Sequence, residues 1–137
     1  MVSDSVLLAL QRTTHRTLQA LTVALADLDV TASEINTLAN LADGRSRNVR
    51  ELAEDTGTRA TTLTGVLDRL ERRGYLTREL DPADRRSFRL TLTAPGRAAA
   101  RKVRAAVTDL EADALAGVSA RQLAGYHAVV SALQEVS

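Results

Sequence analysis

Apolar positions recur at helical spacing through most of this chain and give way to strand-like alternation in one place only, between residues 75 and 92. Leu7, Leu10, Leu18, Leu21, Leu25 and Leu28 follow one another at threes and fours, with Thr14 filling the gap. They predict a first helix of about 25 residues, capped by Ser3 or Asp4. Thr31 and Glu34 form a capping box that opens a short helix with Ile35, Leu38 and Leu41 inward, stopped by Asp43 and Gly44. Asn48 and Glu51 repeat the pattern for a helix burying Val49, Leu52 and Ala53 up to Gly57. Thr58 then caps a third short helix, whose stripe of Leu63, Val66, Leu67 and Leu70 lies on one face. At about 100° per residue, Thr61, Gly65, Asp68 and Arg72 fall on the opposite face, away from any core.

Gly74 ends that helix, and two alternating runs, Tyr75 to Leu80 and Phe88 to Leu92, predict a hairpin with Asp81, Pro82, Ala83, Asp84, Arg85 and Arg86 between them. Thr93 caps a last pair of helices, with Pro95 accepted in the first turn. The first of the pair carries Ala99, Val103, Ala106, Val107 and Leu110. After Gly117 a Ser119/Gln122 capping box opens the second, with Leu123, Tyr126, Val130 and Leu133. The fold expected is mainly α with a small β-hairpin wing: a winged helix-turn-helix over 31–93, flanked by helices over 1–30 and 94–137. The leucine seam of the first helix is longer than a chain of this size needs for its own core. It implies a second copy, with both chain ends forming a helical dimerisation region.

Composition narrows the chemistry. The chain has 137 residues, 45% hydrophobic and 2% aromatic, so its core is Leu, Val and Ala packed between helices. Charges interrupt every apolar run, which predicts neither a membrane span nor a secretory signal, and hence a cytoplasmic protein. The absence of cysteine excludes disulfides, thiol redox sensing and thiolate metal sites. His15 and His127 are far apart and lack ligand-spaced partners, so no metal or cofactor is expected. Net charge is +1, but eleven arginines against eight carboxylates give +3 between Arg45 and Arg89, leaving −2 elsewhere. Phosphate neutralisation is local, so this polarisation counts for more than the total. No nucleophile with a nearby base, glycine-rich phosphate loop or metal cluster is present, and an enzyme is not expected.

Two short helices joined by a tight glycine turn, followed by an arginine-bearing hairpin, suit a DNA duplex. A helix entering the major groove needs small side chains, hydroxyls and guanidinium groups at its start, which Thr58, Arg59, Thr61, Thr62 and Thr64 supply. In the hairpin, Pro82 fixes the turn and Asp84 supports it by accepting hydrogen bonds from Arg86. Arg86 is thereby held forward for a narrow, electronegative minor groove, and Arg85 meets phosphate.

These residues resemble the MarR family of winged-helix transcriptional regulators along nearly the whole chain. The resemblance is carried by Leu63-Thr64-Gly65-Val66-Leu67-Asp68-Arg69-Leu70 followed by Gly74-Tyr75-Leu76. More specific are the wing Asp81-Pro82-Ala83-Asp84-Arg85-Arg86 and the following Leu90-Thr91-Leu92-Thr93-Ala94-Pro95-Gly96. It implies a homodimer on a pseudo-palindromic double-stranded operator, with Thr58, Arg59, Thr61, Thr62 and Thr64 in the major groove and Arg86 in the flanking minor groove. It also implies a repressor released by a small anionic or aromatic effector, for which Arg12, His15 and Arg16 on the first helix are the available cations. Gly65 departs from the family pattern, which commonly places a long polar residue there, and the lack of cysteine excludes the family's thiol-based peroxide sensing. A competing reading keeps the winged helix as a protein-interaction module that binds no DNA.

Overall fold

The computed structural model describes residues 5–136. In order, the elements are α1 (Val6–Ala24), a 3-10 turn (Ala26–Leu28), α2 (Ala32–Leu41), β1 (Arg47–Asn48), α3 (Val49–Thr56) and α4 (Ala60–Arg72). There follow β2 (Leu76–Asp81), β3 (Asp84–Leu92), α5 (Ala94–Ala114) and α6 (Ala120–Gln134). The protein is mainly helical, with a small antiparallel sheet in the order β1-β3-β2. The chain divides into two units, Met1–Val107 and Thr108–Ser137.

The first unit is built around the helix-turn-helix. Ile35, Leu38 and Leu41 of α2, Leu52 of α3, and Leu63, Val66, Leu67 and Leu70 of α4 are all buried, so the stripes read from spacing are the core. Each such leucine contributes roughly 1.5–3 kcal/mol by leaving water. Leu76 and Leu90 extend this core from the sheet, Leu21 and Leu25 from the end of α1, and Ala99, Ala100 and Val103 from α5.

The capping boxes at Thr31/Glu34 and Asn48/Glu51 both close in both directions. Asn48 does double duty, because β1 pairs with β3 through Arg47 opposite Leu90 and Asn48 opposite Arg89. This third strand was absent from the sequence reading; two residues are too few to show alternation.

Two expectations are corrected. Thr58 does not cap α4: the N-cap is Arg59, whose side chain makes no capping bond. The Thr58 N–H instead donates to the Ala53 carbonyl at 3.1 Å, closing α3 in a Schellman-type end around Gly57, whose φ is 70°. The hairpin tip is also shorter than expected, two residues (Pro82 and Ala83), since β3 already begins at Asp84. Arg85 and Arg86 therefore stand on a strand beside the irregular pairing at Leu80/Asp81, not on a loop. Asp84 Oδ1 does accept from Arg86, through the backbone N–H, at 3.0 Å. The caps proposed at Ser3 and Asp4 lie outside the described residues, and Ser5 Oγ accepts from Leu8 N at 3.3 Å.

The start of α5 is fastened to the junction after α4. Thr93 Oγ1 accepts from Gly96 N at 3.1 Å and donates to the Gly74 carbonyl at 2.5 Å, while Thr93 N donates to Tyr75 O at 3.0 Å. A Cβ on Gly96 would lie 1.9 Å from Tyr75 O, so only glycine admits this approach. In the second unit α6 opens on the Ser119/Gln122 capping box and buries none of its residues. No helix among the described residues is long and apolar enough to cross a membrane.

Candidate nucleic-acid interface

On the outward side of α4, Thr61, Thr62 and Thr64 are exposed, Gly65 is half-buried, and Asp68, Arg69 and Arg72 are exposed. Thr64 Oγ1 donates to the Ala60 carbonyl at 2.9 Å, which turns its methyl group and a lone pair outward. Thr58 is half-buried just ahead of the helix, and Arg59 is exposed beside it.

The charges of this face are sorted by the neighbouring strand. Arg78 of β2 hydrogen-bonds Asp68 and lies 3.6 Å from Glu71, close enough for an ion pair but with its Nε making no hydrogen bond. Arg59, Arg69 and Arg72 make no ion pair among the described residues. The outward face thus keeps these three cations, with Asp68 engaged by the strand. Spacing alone gave no hint of Arg78, because its partners sit ten and seven positions earlier on another element.

Three further arginines counted in the sequence prove to be structural. Arg47 is 5% exposed; its guanidinium spans Asp43 at 2.5 and 3.0 Å and Asp55 at 2.6 Å. That tie holds β1 to the turn after α2 and to α3. Arg47 holds the Asp43 carboxyl down at about 2, chiefly by hydrogen bonding, and Asp43 in turn raises the guanidinium. Arg73, the C-cap of α4, donates to the carbonyls of Asp29 (2.8 Å) and Leu28, approaches Glu34 at 3.4 Å and lies 5.0 Å over the Tyr75 ring. Arg89 reaches the Ser46 carbonyl at 3.3 Å and lies 3.8 Å from Asp81. Of these ion pairs only Arg47–Asp43 lies at a local spacing, four residues apart; the others join more distant positions.

On the wing, Asp81 is buried and accepts from Ala83 N at 2.9 Å, bracing the tip from its other side. Arg85 and Arg86 are exposed, with no ion pair among the described residues. Leu80 and Phe88, paired across the strands, are 59% and 44% exposed. Arg12, His15 and Arg16 lie on exposed positions of α1. They do not line the polar recess of about 230 Å³ that Ala39, Asn40, Ala42, Asp43, Arg47 and Arg104 form. Among the described residues no group of three His, Asp or Glu side chains is placed to hold a metal ion.

A helix-turn-helix backed by a three-stranded sheet whose hairpin projects beside the second helix defines a winged-helix protein. Residues 28–87 match the sequence profile of the MarR family. The chain is similar to that family in sequence over this segment, and over its length it shares the fold of the solved structures below. It is 35% identical over 66 residues to YfiV of Bacillus subtilis (strain 168), an uncharacterised HTH-type transcriptional regulator; the match covers 48% of this chain and 41% of that protein. The fold is shared with CouR from Rhodococcus jostii RHA1 bound to p-coumaroyl-CoA, with a TM-score of 0.85 at 23% identity, covering 98% of this chain and 94% of that one. It is also shared with Bordetella bronchiseptica BpsR, whose DNA binding is regulated by 6-hydroxynicotinic acid. There the TM-score is 0.82 at 23% identity, over 100% and 98% of the two chains.

Proposed function

We propose that this protein is a dimeric, sequence-specific regulator of transcription that binds a pseudo-palindromic duplex and acts as a repressor released by a small anionic or aromatic compound. The observation that carries the reading is the outward face of α4, where Arg59, Arg69 and Arg72 are exposed beside exposed threonines and make no ion pair among the described residues, while Asp68 is hydrogen-bonded by Arg78. Thr58, Arg59, Thr61, Thr62 and Thr64 are assigned to the major groove, Arg85 to phosphate and Arg86 to the minor groove, with Asp84 holding the wing turn. Segments 1–30 and 94–137 are assigned to dimerisation, and 31–93 to reading.

Release follows from spacing, because a ligand that fixes the two recognition helices away from one helical turn of DNA weakens binding without touching a reading residue. The relatives named above pair this fold with aromatic acids or their conjugates. Arg12, His15 and Arg16 are the cations assigned to such a ligand; Arg104, in the recess, is a second seat. Loss of ligand response in Arg16→Ala or in Arg104→Ala tells the two apart.

The test is binding to duplex from the protein's own upstream region, measured by fluorescence anisotropy. With about ten phosphate contacts per dimer, affinity falls by several decades between roughly 50 and 200 mM salt. Arg86→Ala loses about 1–3 kcal/mol, chiefly at sites with A·T-rich flanks. No binding at low ionic strength leaves the protein-interaction module in its place.

A further inference from the structure

Gly65 sits in the middle of α4, on its outward face, where glycine weakens a helix relative to alanine. Neither of the usual reasons for a glycine applies. Its φ is not positive, and an added Cβ would meet only one atom within 4 Å, the Nη1 of Arg69 at 3.9 Å. The side chain of Arg69 thus leans back one turn towards the helix N-terminus, as helical side chains do, and its guanidinium covers Gly65. Its neighbour Asp68 is hydrogen-bonded by Arg78, Glu71 lies 3.6 Å from the same arginine, and Arg69 makes no ion pair among the described residues.

We propose that Arg69, seated over Gly65, is a base-reading side chain of α4 and sets one G·C preference in each half-site. The inference rests on the duplex-binding reading above. The bare Gly65 lets the helix backbone approach the groove floor, and the planar guanidinium offers two parallel N–H donors at mid-helix. That matches the N7 and O6 acceptors of guanine, which a point charge such as lysine cannot pair with bidentately.

The experiment is selection from a random duplex pool with the full chain, comparing wild type, Arg69→Ala, Arg69→Lys and Gly65→Leu. Wild type is expected to enrich a palindrome containing a fixed G·C pair. All three variants should lose discrimination at that pair, by about 5- to 150-fold, and keep the remaining positions. Arg69→Lys should retain the wild-type salt dependence while losing the preference. Gly65→Leu fills the seat without removing the arginine, and adding Arg69→Ala to it should change nothing further at that pair. The proposal is overturned if Arg69→Ala keeps the full motif and loses affinity uniformly, with a salt slope lower by about one, since that is a phosphate contact. Retention of the preference in Arg69→Lys or Gly65→Leu overturns it equally. A wild-type chain that enriches no sequence removes the duplex-binding reading itself, and the proposal with it.

Discussion

Arg47 illustrates how far a side chain's role can lie from its place in the sequence. In a linear reading it is one of eleven arginines that make the central segment basic; in the fold it is buried between Asp43 and Asp55. Removing it leaves Asp55 without its cation and Asp43 with only the more distant Arg45, at 3.9 Å. Because both stay partly open to solvent, Arg47→Ala is expected to cost about 1–3 kcal/mol, less than a fully buried pair would. Urea denaturation checks this; a change below about 0.5 kcal/mol would show that the tie does not hold β1 in place. The carboxyl of Asp43 is depressed from 3.8 to about 2, so its stabilising effect is present above roughly pH 4 and drains away as pH falls towards 2. Asp43→Asn should therefore be less stable than wild type at neutral pH, with the gap closing below pH 4. A constant gap across that window would count against the pairing. Asp43 lies four residues before Arg47, but Asp55 and the carboxylate partners of Arg73 and Arg78 belong to separate elements that no local period reveals. The apparent surplus of +3 was thus legible only as a sum.

Among the elements, the buried stripe of α4 and the capping boxes of α2, α3 and α6 were the most readable parts of the chain. Leu63, Val66, Leu67 and Leu70 are all buried as spacing requires, and the boxes at Thr31, Asn48 and Ser119 all form. Such signals are local: a period of 3.6 residues and a bond between positions three apart carry their own evidence. What stayed hidden depends on distant segments. β1 exists because β3 offers it a free edge, and Thr58 loses its capping place because the end of α3 claims its N–H. Two glycines make the contrast measurable. Gly65→Ala should stabilise the fold by about 0.5–1 kcal/mol, since its Cβ meets nothing closer than a mobile guanidinium. Gly96→Ala should destabilise it by roughly 2–4 kcal/mol, because its Cβ would collide with a carbonyl of the backbone. Thermal melts of the two variants moving in the same direction would refute the packing described for α5.

At the scale of the whole molecule, burial is uneven. Val6, Leu7 and Leu8 near one end of the chain are 50–59% exposed, and Tyr126 and Val129 near the other are 52% and 44% exposed. We infer that these positions are covered by a second copy, as the leucine seam of α1 implied. Sedimentation of the wild type should give a dimer, and Leu7→Glu combined with Val129→Glu should shift it to monomer at micromolar concentration. A monomeric wild type would withdraw the paired-helix geometry on which operator spacing depends.

Arg73 binds these scales together. Its guanidinium clasps the carbonyls of Leu28 and Asp29, at the end of the 3-10 turn that follows α1, while its own backbone terminates α4. One side chain thus fastens the segment leading into α2 to the last turn of α4. Cutting that clasp with Arg73→Ala should quicken amide exchange across Leu28–Val30 while the exchange of the core leucines stays as it was.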